Sequence, residues 1–243
     1  EQMISDTKEG ASFLIRRLGK CKIYLMGHSG GTFFGIQVAA QAPQLYHAYI
    51  GVAQMSNQLK SERLAYEYML LKYREKGKKK MVRKLESATV TMTEGTPDSY
   101  LLLRDKAMHR LGVGTTHDMK SVITGIFLPS ITCSEYTLIE KVKMWVGKSK
   151  AGVSPLWDAM LATDMNMHIT EFDIPVYFFH GIYDYTVSYK LSRDYFERLR
   201  APIKGFYTFE LSAHSPLFEE PERMEKIFQS DIFAGTNSLA EIN

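Results

Sequence analysis

The chain has 243 residues, 45% of them hydrophobic, enough to bury a sizeable core as one large domain or as a domain carrying an insertion. Thirty Lys and Arg against twenty-seven Asp and Glu leave a net charge of +3, which argues against the concentrated positive charge of a dedicated nucleic-acid binder. Two cysteines, Cys21 and Cys133, are too few for a disulfide scaffold, lack metal-ligand spacing and fit a reducing, cytoplasmic compartment. No apolar run reaches the roughly twenty residues of a membrane span; the longest, residues 121–131, is broken by Pro129.

In chain order, residues 6–19 read as an amphipathic helix stopped by Gly19, and Lys22–Gly27 as a buried strand. Residues 31–43 read as a helix stopped by Pro43, and Tyr46–Met55 as a second apolar strand. From residue 57 to 170 the strand signals fade and helical patterns dominate, among them residues 61–77 and 133–148. Alternation returns from Glu171: a strand at 174–181, a helix at 188–202 ended by Pro202, a strand at 204–211, then a mostly helical stretch at 215–233 with Pro216 in its first turn. The spacing predicts a parallel α/β sheet, in segments 1–56 and 171–243, interrupted by a helical block at 57–170.

The first strand runs into Gly27-His28-Ser29-Gly30-Gly31 and leaves as a helix. A Gly-x-Ser-x-Gly at a strand-to-helix turn is a nucleophile elbow. The turn is tight enough to expect strained backbone at Ser29 and collisions for any side chain at 27 or 31. It lifts the hydroxyl above the sheet edge and aims the free N–H groups of the next helix at it, with Gly30 N–H as an oxyanion donor. A serine needs a base, and the base an orienting acid. Asp184 follows the third strand and His214 the fourth, in the order serine, acid, histidine. His28, inside the elbow, is expected to point away from the substrate. His180 comes after the serine and fits an oxyanion loop poorly, and His47, His109, His117 and His168 are expected to be structural. Asp158, Asp164 and Asp173 precede the third strand and fit the acid position less well.

"GHSGG", "HGIYDYTV" and "SAHSPLFEEPERM" together resemble the α/β-hydrolase fold family, in its capped branch that includes proline iminopeptidase-like hydrolases. The resemblance implies a hydrolase core at 1–56 with the elbow, a helical cap at 57–170, and a core at 171–243 with the acid and base loops. It implies Ser29, Asp184 and His214 as catalytic triad, no cofactor and no metal, and a small acyl or aminoacyl substrate. An acyltransferase or a non-catalytic ligand-binding protein of the same fold is the alternative. The family places further strands before the nucleophile strand, and a loop there supplies a second oxyanion donor. Glu1 is not a plausible native start, so the chain is expected to lack an N-terminal segment that would be its own partner, or else to self-associate as a homo-oligomer. Within the block, nine of thirteen methionines lie between Met69 and Met167 and are expected to fill core gaps. The basic run Arg74–Lys84 is expected to be a solvated face rather than a lipid or nucleic-acid contact. Glu135 and Glu140 are the carboxylates that would read a substrate amine, against the ordinary reading of exposed helix residues.

Overall fold

The computed structural model describes residues 1–151 and 155–242. Helix α1 (Gln2–Leu18) ends at Gly19, whose left-handed backbone (φ 60°) lets its N–H and that of Lys20 return to the carbonyls of Arg16 and Ile15. Strand β1 (Ile23–His28), helix α2 (Gly30–Gln41) and strand β2 (Tyr46–Val52) follow. Between β2 and the next sheet strand the described residues form helices and connecting loops: α3 (Gln58–Glu75), α4 (Lys79–Glu86), α5 (Asp98–Leu111), α6 (Leu128–Thr132), α7 (Leu138–Ala151) and α8 (Pro155–Ala162). Strand β3 (Val176–Gly181), helix α9 (Tyr189–Arg198), strand β4 (Lys204–Phe209) and helices α10 (Pro216–Glu219) and α11 (Pro221–Ile227) follow, then a helical turn at Phe228–Ile232 and the tail.

The four strands pair in sequence order and all in parallel. Sequential order sends both crossover helices, α2 and α9, the same way, and a right-handed crossover then puts them on one face. There, with α1, they cover Tyr49, Val176, Phe178 and Phe206. The alternate residues Ile50, Tyr177, Phe179 and Tyr207 point to the other face and pack on Met224 and Ile227 of α11 and on Ile232. Burial on both faces explains why the inner strands read as unbroken apolar runs. The outer edge of β4 is covered by the C-terminal tail, where Phe206 and Ile242 form an antiparallel bridge. β1 is the other edge strand; its Tyr24 and Met26 are exposed.

The helices between β2 and β3 have a core of their own, built from Tyr66, Met69 and Tyr73 of α3, Leu85 of α4 and Tyr100 and Met108 of α5. Both ends of this stretch meet at the sheet: Met165 N–H donates to Ser56 O at 2.8 Å, and Asn57 bridges Asp164. The basic run is exposed, with Arg74 paired to Glu86 at 2.7 Å.

The boundaries depart from the sequence reading in places that have local causes. α1 starts four residues earlier than expected, at Gln2. β2 stops at Val52 because Ala53 turns into positive φ (51°). α7 begins only at Leu138, since Thr137 caps it. The expected C-terminal helix is divided by Pro221, which has no N–H to continue α10 and opens α11 instead.

Candidate active site

The register pairs His28 with Val52 and Gly181 with Phe209, so the strands end along one edge and the following loops share it. Ser29 lies on the first of these. Its backbone has φ 56° and ψ −126°, a conformation a serine adopts only under tertiary constraint, and its N–H is tied to Val52 O at 3.0 Å. A Cβ on Gly27 would sit 2.8 Å from Gly31 O, so residue 27 must be glycine for the turn to close. Gly31 differs from expectation: a Cβ there would meet nothing within 4 Å, because its side-chain direction faces away from the crossing backbone. The Ser29 hydroxyl does not cap α2, and Thr32 instead closes the turn, its Oγ1 donating to Ser29 O at 2.6 Å. Met55 N–H returns to Thr32 Oγ1, and Tyr49 OH to Gln54, which fastens the start of α2 to the end of β2. Gly30, the first residue of α2, carries one of the N–H groups that a helix leaves without an intrahelical partner.

The loop after β3 curls around Asp184, which is fully buried. Oδ1 accepts the N–H groups of Thr186 (2.8 Å) and Val187 (3.0 Å). Oδ2 accepts His214 Nδ1–H at 2.9 Å and lies 3.1 Å from Nε2 of His180. Burial would push this carboxyl up, but the facing His214 charge and the hydrogen bonds from His180 and His214 outweigh it, and hold it well below the usual carboxylate range. With Nδ1–H committed to Asp184, His214 presents Nε2 as its proton acceptor.

The His214 loop is pressed against the end of β3. A Cβ on Gly181 would fall 2.1 Å from Ala213 O and 2.3 Å from Ser212 O, so only glycine allows this approach. Two carboxylates hold the loop from below. Glu219 accepts the N–H groups of Ala213 and His117, and Glu220 accepts Leu211 N–H and the Ser212 hydroxyl. Burial raises the Glu219 carboxyl, against the pull of those backbone donors. His28, expected to point away from the substrate, is half-buried and lines the cleft beside the site, with its ring turned to the base loop. Nε2–H donates to His214 O at 2.9 Å and the two rings lie 5.1 Å apart, which ties the elbow to the base. Burial, then the His214 charge, lowers its pKa and favours the neutral ring.

His28, Thr115, Met119, Ile126, Ser215 and Phe218 line a cleft of about 910 Å³ beside this cluster, closed on one side by residues 115–129. Met160 reaches the elbow from α8, its Sδ 3.7 Å from the Cβ position of Gly30. Glu135 and Glu140 are exposed and occupied locally. Glu135 accepts from Cys133 and Ser134, and Glu140 exchanges hydrogen bonds with Thr137 as a capping box for α7. The remaining histidines sit apart from the carboxylate: His109 bonds Thr115, His117 stacks on Tyr183, His47 contacts Tyr24 and His168 ends a short turn. Asp164 bonds Asn166 and Lys60, while Asp158 and Asp173 are exposed. Among the described residues no cluster of His, Cys, Asp and Glu could hold a metal, both cysteines are free, and no helix is long and apolar enough to cross a membrane.

The sequence reading missed His180, which belongs to the acid through a contact four residues along the chain. The spacing from His180 to Asp184 was visible; what hid the contact is the loop's curl, which no periodicity encodes.

No family profile matches the chain. A probable aminopeptidase of Bacillus subtilis (strain 168), YbaC, is 26% identical over 218 residues, which cover 90% of this chain and 67% of that protein. A proline iminopeptidase-related protein from Thermus thermophilus superposes with a TM-score of 0.54 at 17% identity, over 91% of this chain and 67% of that one. An esterase from Exiguobacterium antarcticum gives 0.51 at 13% identity, over 94% and 71%. The chain has the α/β-hydrolase fold, with helices inserted between the second and third of its strands.

Proposed function

On this α/β-hydrolase fold, we propose that the chain is a serine hydrolase that cleaves an ester or amide of a small substrate through an acyl-enzyme on Ser29. The observation that carries the reading is the hydrogen bond from His214 Nδ1–H to the buried Asp184, at 2.9 Å, on the same sheet edge as the strained Ser29.

Ser29 Oγ attacks the substrate carbonyl as His214 Nε2 takes its proton. Asp184 holds the ring in the tautomer that leaves Nε2 free and stabilises the imidazolium that forms. Gly30 N–H, at the positive end of α2, binds the oxyanion. His214 then protonates the leaving alcohol or amine. In the second half, His214 removes a proton from water, which attacks the acyl carbonyl and releases the acid and Ser29. The cleft beside His28, with Met119, Ile126 and Phe218 on its walls, offers an apolar surface to an acyl group. The names of the relatives, an esterase and aminopeptidase-like proteins, support acyl and aminoacyl substrates alike.

The test is covalent. A fluorophosphonate is expected to modify Ser29, as mapped by peptide mass spectrometry, and Ser29→Ala is expected to abolish both the adduct and turnover of aryl esters or aminoacyl arylamides while leaving the melting temperature close to wild type. Adducts only on other residues would overturn the assignment.

A further inference from the structure

Glu62 of α3 is fully buried, and Arg104 of α5 nearly so. The guanidinium grips the carboxylate twice, Nε to Oε2 at 2.7 Å and one terminal nitrogen to Oε1 at 2.8 Å. Tyr100 OH adds a bond to Oε2 at 2.9 Å, and Gln58 Nε2 one to Oε1 at 2.8 Å. A buried ion pair is a poor way to gain stability, since the desolvation of both charges offsets their attraction and apolar residues of similar volume do as well or better. This pair therefore calls for a purpose beyond cohesion of the helices.

Its outward contact supplies one. The same terminal nitrogen of Arg104 points to Thr186 O at 3.4 Å, and Gln58 Nε2 donates to that oxygen at 2.9 Å. Thr186 C=O and Val187 N–H belong to one peptide unit, and Val187 N–H donates to Asp184 Oδ1 at 3.0 Å. A donor on the carbonyl side of a peptide polarises its N–H, which strengthens the bond that N–H makes. The chain of contacts thus runs from Arg104 and Gln58, through one peptide, to Asp184, and from Asp184 to His214. A neighbouring bond, Ser188 N–H to Ser61 Oγ at 3.1 Å, fixes the far side of the same loop to the same helix.

We propose that Arg104, held by Glu62 and assisted by Gln58, is a positioning residue for the acid: it orients and polarises the Thr186–Val187 peptide that binds Asp184. The proposal rests on the reading of Ser29, Asp184 and His214 as the catalytic groups. It makes the inserted helices a part of the acid's support as well as a cover for the cleft.

Three variants separate positioning from cohesion. Arg104→Leu strands the Glu62 charge and is expected to lower the melting temperature sharply. Glu62→Leu/Arg104→Leu removes both charges and is expected to regain most of that loss. Its fluorophosphonate labelling of Ser29 is nonetheless expected to stay roughly tenfold to a hundredfold slower than wild type, the usual penalty for losing an orienting partner of a site residue. Gln58→Leu, which leaves the ion pair intact but removes one donor from Glu62 and one from Thr186 O, is expected to slow labelling with a smaller drop in melting temperature than Arg104→Leu. The second readout is the proton NMR resonance of the His214 Nδ1–H bonded to Asp184, which is expected to move in the double variant. A double variant that melts and labels like wild type with this resonance unmoved would overturn the proposal. If wild type is not labelled at Ser29, the reading of the site fails instead, and the resonance alone decides whether Arg104 acts on Asp184.

Discussion

Asp184 is where the chemistry of single residues is most constrained. One oxygen faces two backbone N–H groups and the other faces two imidazoles, so every near neighbour is a donor. An asparagine cannot serve both sides. With its oxygen on the backbone, its NH₂ confronts His214 and turns that ring to the wrong tautomer. On the proposed mechanism Asp184→Asn is therefore expected to cost about ten-thousand-fold in turnover with substrate affinity retained, the loss that this change causes in a serine-protease triad. The pH dependence of stability gives a second check. A carboxyl held below its unfolded value adds stability that is fully present above about pH 4, and that is lost as pH falls through the folded value. The melting difference between wild type and Asp184→Asn should be widest above that pH and should shrink below it. Asp184 and His214 could be picked from the sequence because each follows an apolar strand and each precedes a helix. The contacts that support them could not, because Gln58, Arg104 and Glu219 act across folded space on residues that no spacing links to them.

At the scale of elements, the glycines around the site are not equally replaceable. Gly181→Ala would drive a methyl into two carbonyl oxygens of the base loop, both backbone atoms that cannot swing aside. It is expected to cost about 2–3 kcal/mol by thermal denaturation and to slow the reaction by displacing His214. Gly31→Ala, in open space within α2, should be neutral or stabilising by up to about 1 kcal/mol. The elbow motif names both of its outer glycines alike, and only the course of the backbone distinguishes Gly27 from Gly31. Strands β2, β3 and β4 were legible because parallel strands buried on both faces are apolar without interruption, whereas β1, expected to be buried, is an edge that exposes Tyr24 and Met26. Helix starts were less so: at α7 the capping box of Thr137 and Glu140, not the apolar pattern, sets the first turn. Those same bonds take up Glu140, one of the two carboxylates that the sequence offered for a substrate amine.

For the whole molecule, the two edges of the sheet are treated differently. The tail closes β4, whereas β1 leaves Tyr24 and Met26 exposed. An uncharged edge of this kind pairs with other strands. Light scattering of the chain is expected to show self-association, and Tyr24→Lys with Met26→Lys to suppress it; a monodisperse monomer at high concentration would refute this.

The staple at Ser56–Met165 and Asn57–Asp164 also bears on how the chain finds its fold. Parallel pairing of β2 with β3 must close a loop of roughly 120 residues, which costs a flexible chain about 4 kcal/mol of entropy before any contact repays it. Helices α3 to α5, condensing first around Met69 and Tyr100, would take residues 65–113 out of that loop, and the packing of α8 on α3 would then bring Ser56 to Met165, leaving three residues after β2 and ten before β3. Folding order would then be written into the insertion, and the sheet would wait for it. Met69→Ala, in the centre of that core, should therefore slow refolding after a denaturant jump rather than only hasten unfolding. Unchanged refolding with faster unfolding would instead place the helices after the sheet in time.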